Sequence, residues 1–303
     1  MSLRAVRAGL RVLSPRAPKL AARWAERLFL TARRHERPSW ETEALASARA
    51  GRVPHEGGFL PTWTWTPRGA RGSLESPPTV ILVHGWEGRG SQLAAFVPPL
   101  VTAGLRVVTF DAPGHGDSPL RRASVVEHAR ALVSVGHAFG PARAVIGHSV
   151  GGAAILLATR FGFQAERLAL IAPPTTPAGF AATFARTLRL DSTLESAMIA
   201  RLEARYGLRL DDLDVSADAA RLRAPLLVVH DREDPVVAFD GGRRLARAAP
   251  HGELVAVSGL GHRAILRAPS VVATVADFAG APAAAPSFAE TIDGELFLRD
   301  KRW

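Results

Sequence analysis

The chain has 303 residues, 47% of them hydrophobic, and a formal net charge of +10, so it can bury a large core. It contains no cysteine, which excludes a disulfide framework, a thiol nucleophile, a zinc–thiolate site and an iron–sulfur cluster. No run of about eighteen apolar residues appears, and no apolar signal-peptide core follows the first arginines, so the expected setting is cytoplasmic with no membrane-spanning helix.

The charge is concentrated at the N-terminus. Residues 1–40 hold nine arginines and Lys19 against Glu26 and Glu36, a local net of +8. Lys19 to Arg34 reads as an amphipathic helix, with Leu20, Trp24, Leu28, Phe29 and Leu30 set among arginines. Residues 1–50 are therefore expected to form a basic helical segment. Docking on the domain is the preferred reading, with an anionic membrane surface or a targeting role as the others. Nucleic acid is not an expected partner, because no nucleic-acid fold signature accompanies the charge. Val53–Thr66 suggests antiparallel edge strands turning at Gly57-Gly58.

From residue 79 onward, short apolar runs alternate with helix-sized stretches. Strands are expected at Thr79–Val83, Leu105–Phe110, Ala144–Ile146, Leu168–Ile171, Leu226–Val229 and Leu254–Val257. Helices are expected near Ser91–Ala103, Ser124–Ala138, Gly151–Arg160, Gly241–Ala248 and Ser270–Phe278. Such alternation implies an α/β protein: a mostly parallel central sheet with helices on both faces. Between Ile171 and Pro225 the rhythm breaks, and Phe180–Leu190, Thr193–Tyr206 and Val215–Leu222 read as amphipathic helices. The chain thus divides into residues 1–50, a domain over 51–280 with an insertion at about 173–223, and a tail over 281–303. That tail opens with a Pro/Ala linker, and Glu290–Leu298 has weak hairpin character around Asp293-Gly294.

The loops that follow the strands carry the chemistry. Gly147-His148-Ser149-Val150-Gly151 joins a strand to a helix, the setting in which a sharp turn exposes a nucleophilic hydroxyl. Gly147 and Gly151 let strand and helix approach closely, and the Val150 N–H can face a developing oxyanion. Downstream, Asp231, Glu233 and Asp234 end one strand, and Gly261-His262 follows the next. The order serine, acid, histidine suits successive parallel strands that each deliver one catalytic residue. Asp234 is preferred as the acid because Pro235 restricts it to an extended turn conformation, with Asp231 in reserve. His84-Gly85-Trp86, after the first strong strand, offers the Trp86 N–H as a second oxyanion donor, while His84 reads as a structural histidine. Asp111, His115 and Asp117 match no standard metal spacing and read as turn caps.

These pieces together resemble the α/β-hydrolase superfamily, in a serine-nucleophile branch with a short helical cap. The matching motifs are His84-Gly85-Trp86, Asp111-Ala112-Pro113-Gly114-His115-Gly116-Asp117-Ser118, Gly147-His148-Ser149-Val150-Gly151-Gly152, Asp234 and Gly261-His262, spread over roughly Thr79 to Gly280. The resemblance implies the α/β-hydrolase fold, with Ser149 as nucleophile, Asp234 as acid, His262 as base, and Trp86 and Val150 as oxyanion donors. It also implies that the insertion lies over the nucleophile as a cap, which makes Phe180, Phe184, Leu188, Met198 and Tyr206 candidate walls of the substrate pocket. Serine rather than aspartate at 149 argues against direct carboxylate attack, and no triple-glycine string follows the first strand. His230 stands where relatives often carry glycine at the start of the acidic turn.

The expected activity is hydrolysis of a small or medium carboxylic ester through an acyl-enzyme, with no cofactor and no metal. An amide or peptide hydrolase and a thioesterase would use the same triad, and a non-catalytic binding protein of the same fold is the reading from a different class. The sequence leaves the oligomeric state open.

Overall fold

The computed structural model describes residues 2–68, 76–176, 178–281, 290–292 and 295–297. Two helices open the chain, α1 (Leu3–Arg16) and α2 (Pro18–Phe29). Ser2 caps α1 by accepting the Ala5 N–H. The break falls at Ala17 because Pro18 disfavours helical backbone before it, while Pro18 itself sits at the start of α2, where no intrahelical donor is needed. A further helix, α3 (Ser39–Ala46), precedes a hairpin of β1 (Arg49–His55) and β2 (Gly58–Trp65). His55 pairs with Gly58, so the turn is Glu56-Gly57, one residue earlier than the Gly57-Gly58 turn expected, and Gly57 supplies the left-handed φ of +75°.

The sheet continues through β3 (Thr79–Val83), β4 (Arg106–Phe110), β5 (Ala142–His148), β6 (Leu168–Ile171), β7 (Leu226–Asp231) and β8 (Gly252–Val257). Helices intervene: α4 (Val97–Thr102) after a 3-10 segment at Gly90–Phe96, α5 (Val125–Phe139), α6 (Val150–Thr159), α7 (Ala178–Leu188), α8 (Ser192–Tyr206), α9 (Ser216–Ala219), α10 (Phe239–Ala248), α11 (Gly261–Ala264) and α12 (Pro269–Gly280). The single helix expected over Ser91–Ala103 is split, since Pro98 and Pro99 lack N–H groups and can only open a new helix. Two short strands, β9 (Glu290–Ile292) and β10 (Glu295–Phe297), pair antiparallel at the C-terminus. Most of the Pro/Ala linker and Asp293-Gly294 lie outside the described residues.

The large sheet has the order β1-β2-β4-β3-β5-β6-β7-β8. Pairings among β3 to β8 are parallel, and β2 joins the edge antiparallel to β4. The parallel strands are apolar on both faces, as covered strands must be. Val80, Leu82, Ala144, Ile146, Ala169, Ile171, Leu227 and Val229 share one buried cluster with Val271, Val275 and Phe278 of α12. Their alternates face α6 and α10: Gly152 approaches Leu170, and Gly242 approaches Val228. The C-terminal ends of β3, β5, β7 and β8 therefore open on one side of the sheet, where parallel α/β folds assemble their sites.

The chain divides into two compact units, residues 1–32 with 176–214 and residues 33–175 with 215–303. In the smaller unit, α1 and α2 share a core with the inserted helices. Val6, Leu10, Ala21, Ala22, Ala25 and Leu30 are buried with Leu188, Leu194, Met198 and Leu202. Asp191 caps α8 by accepting the Leu194 N–H, and Arg7 donates to the Thr187 carbonyl. Glu26, buried on α2, accepts hydrogen bonds from both Arg201 (2.7 Å) and Arg205 (2.6 Å) of α8. The N-terminal segment and the insertion thus form one helical unit. Helix α9, read from sequence as part of the insertion, belongs to the larger unit, where Asp218 accepts a two-pronged pair from Arg160, the residue that follows α6.

Candidate active site

Strand β5 ends at His148 and α6 begins at Val150, which leaves Ser149 at φ 52°, ψ −125°, a backbone conformation costly for any residue with a side chain. The turn is held by its surroundings. Ser149 N–H donates to the Ile171 carbonyl at 2.8 Å, and Gly152 N–H donates to the Ser149 carbonyl at 2.8 Å. A Cβ on Gly151 would sit 2.4 Å from the Val83 oxygen and 2.5 Å from the His84 oxygen, and one on Gly147 would meet Ile155 Cδ1 at 2.4 Å. Glycine is required at both places because strand, turn and helix pass within contact distance.

His262 comes from the turn after β8, and Asp234 from the turn after β7. His262 Nε2 lies 3.0 Å from Ser149 Oγ, and His262 Nδ1 lies 2.7 Å from Asp234 Oδ2. The Asp234 carboxylate is inaccessible to solvent. Burial pushes its pKa up, but the imidazole N–H groups of His230 and His262 and the backbone N–H groups of Val237 and Val236 outweigh that and hold it well below the usual carboxylate range. Oδ1 accepts those two N–H groups at 3.0 and 2.7 Å, so one oxygen anchors the carboxylate while the other meets His262. The chemistry available is proton transfer from a serine hydroxyl to an imidazole whose orientation is fixed by a buried anion.

Three neighbouring residues have supporting roles that the sequence did not assign to them. Asp231, the reserve acid, does not reach the imidazole. Its Oδ2 accepts the N–H groups of Leu260 (2.5 Å) and Gly261 (2.6 Å), the two residues before His262, and its Oδ1 accepts Glu233 N–H at 2.8 Å. His230 is buried behind Asp234, with Nε2 3.6 Å from Asp234 Oδ2 and 3.1 Å from the Val237 carbonyl. His148 donates from Nε2 to the His262 carbonyl at 2.8 Å, and the two rings lie 4.7 Å apart. Burial, and then the neighbouring His262, lower the His148 pKa to about 3, so its ring is neutral. The visible signal for His148 was its place next to the serine.

The loop after β3 lies against Ser149. A Cβ on Gly85 would be 3.0 Å from Ser149 Cβ. Gly85 to Gly88 form a turn closed by Gly88 N–H to the Gly85 carbonyl, with Glu87 at φ 55° in its third position. Trp86 stands at the second position, its ring edge-on to His115 at 5.3 Å. Val150, at the start of α6, has an N–H without an intrahelical acceptor by the geometry of every helix start. His84 donates from Nδ1 to the Gly85 carbonyl and accepts the Ala112 N–H at Nε2, as expected of a structural histidine. It packs with His115 and His128. The connector from residue 33 braces this loop: Arg89 donates to the carbonyls of His35 and Glu36, and Glu41 of α3 accepts from Ser91 and forms an ion pair with Arg89.

Asp111 and His115 are occupied by nearby backbone groups, and the Asp117 carboxylate accepts from Arg37 at 2.8 Å. The Asp111 carboxylate accepts the N–H groups of Gly90 and Asp117, and His115 Nδ1 donates to the Pro113 carbonyl. Among the described residues, no group of three or more histidines and carboxylates could hold a metal ion. Of the five residues expected to wall a pocket, Leu188 and Met198 fill the core of the smaller unit, and Phe184 and Tyr206 pack against it. Phe184 meets Phe29 edge-on at 5.2 Å, and Phe180 is half-buried on α7.

Residues 80–275 match the family model described as alpha/beta hydrolase family. The chain is 30% identical over 239 residues to a pimeloyl-[acyl-carrier protein] methyl ester esterase of Aromatoleum aromaticum, a match covering 63% of this chain and 94% of that relative. Among solved structures it is similar to a Pyrococcus furiosus esterase, with a TM-score of 0.62 and 16% identity over 82% of this chain and 98% of that one. It is also similar to a thioesterase domain from the curacin biosynthetic pathway, with a TM-score of 0.55 and 16% identity over 77% of this chain and 99% of that one. A sheet of this order, a strained serine between β5 and α6, and a family match over residues 80–275, which carry the parallel strands and that serine, lead to one conclusion: the chain is a hydrolase of the alpha/beta hydrolase family.

Proposed function

We propose that the protein hydrolyses a small or medium carboxylic ester through an acyl-serine intermediate. The observation that carries this reading is the continuous contact from Ser149 Oγ through His262 to Asp234, at 3.0 and 2.7 Å. His262 Nε2 takes the hydroxyl proton as Ser149 Oγ attacks the ester carbonyl. The N–H groups of Trp86 and Val150 hold the oxyanion, each worth about 3 kcal/mol in the transition state. The carbonyl re-forms, the alcohol leaves with the proton from His262, and a water activated by the same imidazole releases the acid. Asp234 keeps the His262 proton on Nδ1 throughout and stabilises the imidazolium. The relative from Aromatoleum aromaticum is named for cleaving a methyl ester, which supports an ester over an amide.

The test is a comparison of kcat/KM on p-nitrophenyl esters of short and medium acyl chains, the matching acyl thioesters and the matching anilides, with Ser149→Ala in parallel. Esters turned over fastest, with activity lost in the variant, is the expected outcome. Anilides or thioesters turned over fastest would replace the substrate class, and activity retained by Ser149→Ala would remove the mechanism.

A further inference from the structure

Helices α1 and α2 bury one side of themselves and leave a distinctive outer face. They meet each other at Gly9, where a Cβ would lie 2.7 Å from the Trp24 ring, so Trp24 is spent on the contact within the hairpin. With Val6, Leu10, Ala21, Ala22 and Ala25 turned into the core, helical periodicity carries Arg4, Arg11, Arg16, Lys19, Arg23 and Arg27 to the exposed side. Between residues 3 and 29 the only carboxylate is Glu26, and it points inward to Arg201 and Arg205. The outer face therefore carries positive charge with no acid of its own to neutralise it.

The same face exposes apolar side chains that the core does not use. On that face Val12 and Leu20 are 57% and 58% exposed, and with Leu3 on the first turn of α1, 41% exposed, they stand among four large hydrophobics so exposed in the described chain. Val12 adjoins Arg11 and lies one turn from Arg16, and Leu20 adjoins Lys19 and lies one turn from Arg23. Isolated apolar side chains ringed by cations have a natural counterpart in an anionic bilayer. Headgroup phosphates neutralise the arginines, and the aliphatic tips enter the acyl boundary. A second copy presenting the same face would be repelled by like charge, and a nucleic acid would have no use for exposed aliphatic side chains such as Val12 and Leu20. No described helix is long and apolar enough to cross a membrane, so the contact is peripheral.

We propose that the outer face of the α1–α2 hairpin docks the protein on anionic lipid surfaces, with Arg4, Arg11, Lys19 and Arg23 supplying charge and Val12 and Leu20 inserting. This inference is independent of the reaction at Ser149.

The experiment is flotation of the full chain with vesicles of phosphatidylcholine alone and of equal parts phosphatidylcholine and phosphatidylglycerol. Three proteins are compared: the parent, a charge variant (Arg4→Gln, Arg11→Gln, Lys19→Gln, Arg23→Gln) and an apolar variant (Val12→Ser, Leu20→Ser). Circular dichroism and hydrolysis rates verify that both variants are folded. The expected result is binding to the anionic vesicles only, weakened at least about a hundredfold in the charge variant and clearly weakened in the apolar variant, whose charge is unchanged. Absence of binding to anionic vesicles by the folded parent would overturn the proposal. So would an apolar variant that binds as the parent does, or tighter binding to a duplex DNA oligonucleotide than to vesicles, since either marks a general polyanion surface.

Discussion

Asp231 and Asp234, three residues apart at the end of β7, act on the same histidine from different sides. Asp234 Oδ2 meets the His262 ring at 2.7 Å, whereas Asp231 Oδ2 holds the backbone N–H groups of Leu260 and Gly261 at 2.5 and 2.6 Å. One carboxylate orients the imidazole, and the other fixes the turn that presents it.

These two contacts predict different losses. Asp234→Asn leaves the wrong tautomer facing His262 and should lower kcat by about ten-thousandfold with little change in KM. Asp231→Ala frees the His262 turn by a fraction of an ångström to an ångström and should lower kcat by about a hundredfold. Asp231→Asn keeps one acceptor oxygen and should fall between Asp231→Ala and the parent. Steady-state kinetics on a p-nitrophenyl ester checks all three, and equal losses at both positions would show that the division is wrong.

Gly151 is fixed by backbone rather than by flexible side chains. An alanine there would place Cβ 2.4 and 2.5 Å from two carbonyl oxygens, neither of which can rotate away. Gly151→Ala should cost about 3 kcal/mol of stability or more, read as a lower midpoint in urea unfolding.

The buried histidines set the acid limit of stability. Burial lowers His115 to about 4 and His128 to about 3, and His148 likewise to about 3. The unfolded chain takes up these protons near 6.5 and the native state resists them, so stability is whole above that pH and falls as pH drops toward 4 and 3. Asp111 opposes them in part: burial raises it to about 6, so the native state binds its proton first between about 6 and 3.8. With His84, which burial also holds well below its usual range, these histidines outweigh one carboxylate, and Tm should fall between pH 7 and pH 4.5. His128→Gln should flatten that slope, and an unchanged slope would count against the assignment.

In the helical unit, Glu26→Ala would leave two arginines facing an apolar core without their shared anion. Because Arg201 and Arg205 are 38% and 31% exposed, water recovers part of the cost, and a loss of about 1–3 kcal/mol is expected. Thermal unfolding of the variant checks it.

The central strands were legible in the sequence because residues buried on both faces form uninterrupted apolar runs, as Thr79–Val83 and Leu168–Ile171 do in the structure. The order Ser149, Asp234, His262 was legible because each follows such a run. What escaped was tertiary. Helices α1 and α3 have weak or charge-dominated apolar faces, and it takes contacts distant in sequence, the core that Leu10 shares with Met198 and the pairing of Glu26 with Arg201 and Arg205, to show that residues 1–32 belong with the insertion. Asp231 and Asp234 stand at the end of the same strand, and Pro235 told them apart in sequence without assigning Asp231 a task. Their separate tasks depend on where Leu260 N–H and the His262 ring arrive from another strand, which no local pattern records.

The most direct test of the account is reaction with a fluorescent fluorophosphonate, followed by peptide mass spectrometry of the parent, Ser149→Ala and His262→Ala. The account predicts one adduct, on Ser149, absent in Ser149→Ala and strongly slowed in His262→Ala. An adduct elsewhere, or none on folded parent protein, would contradict it.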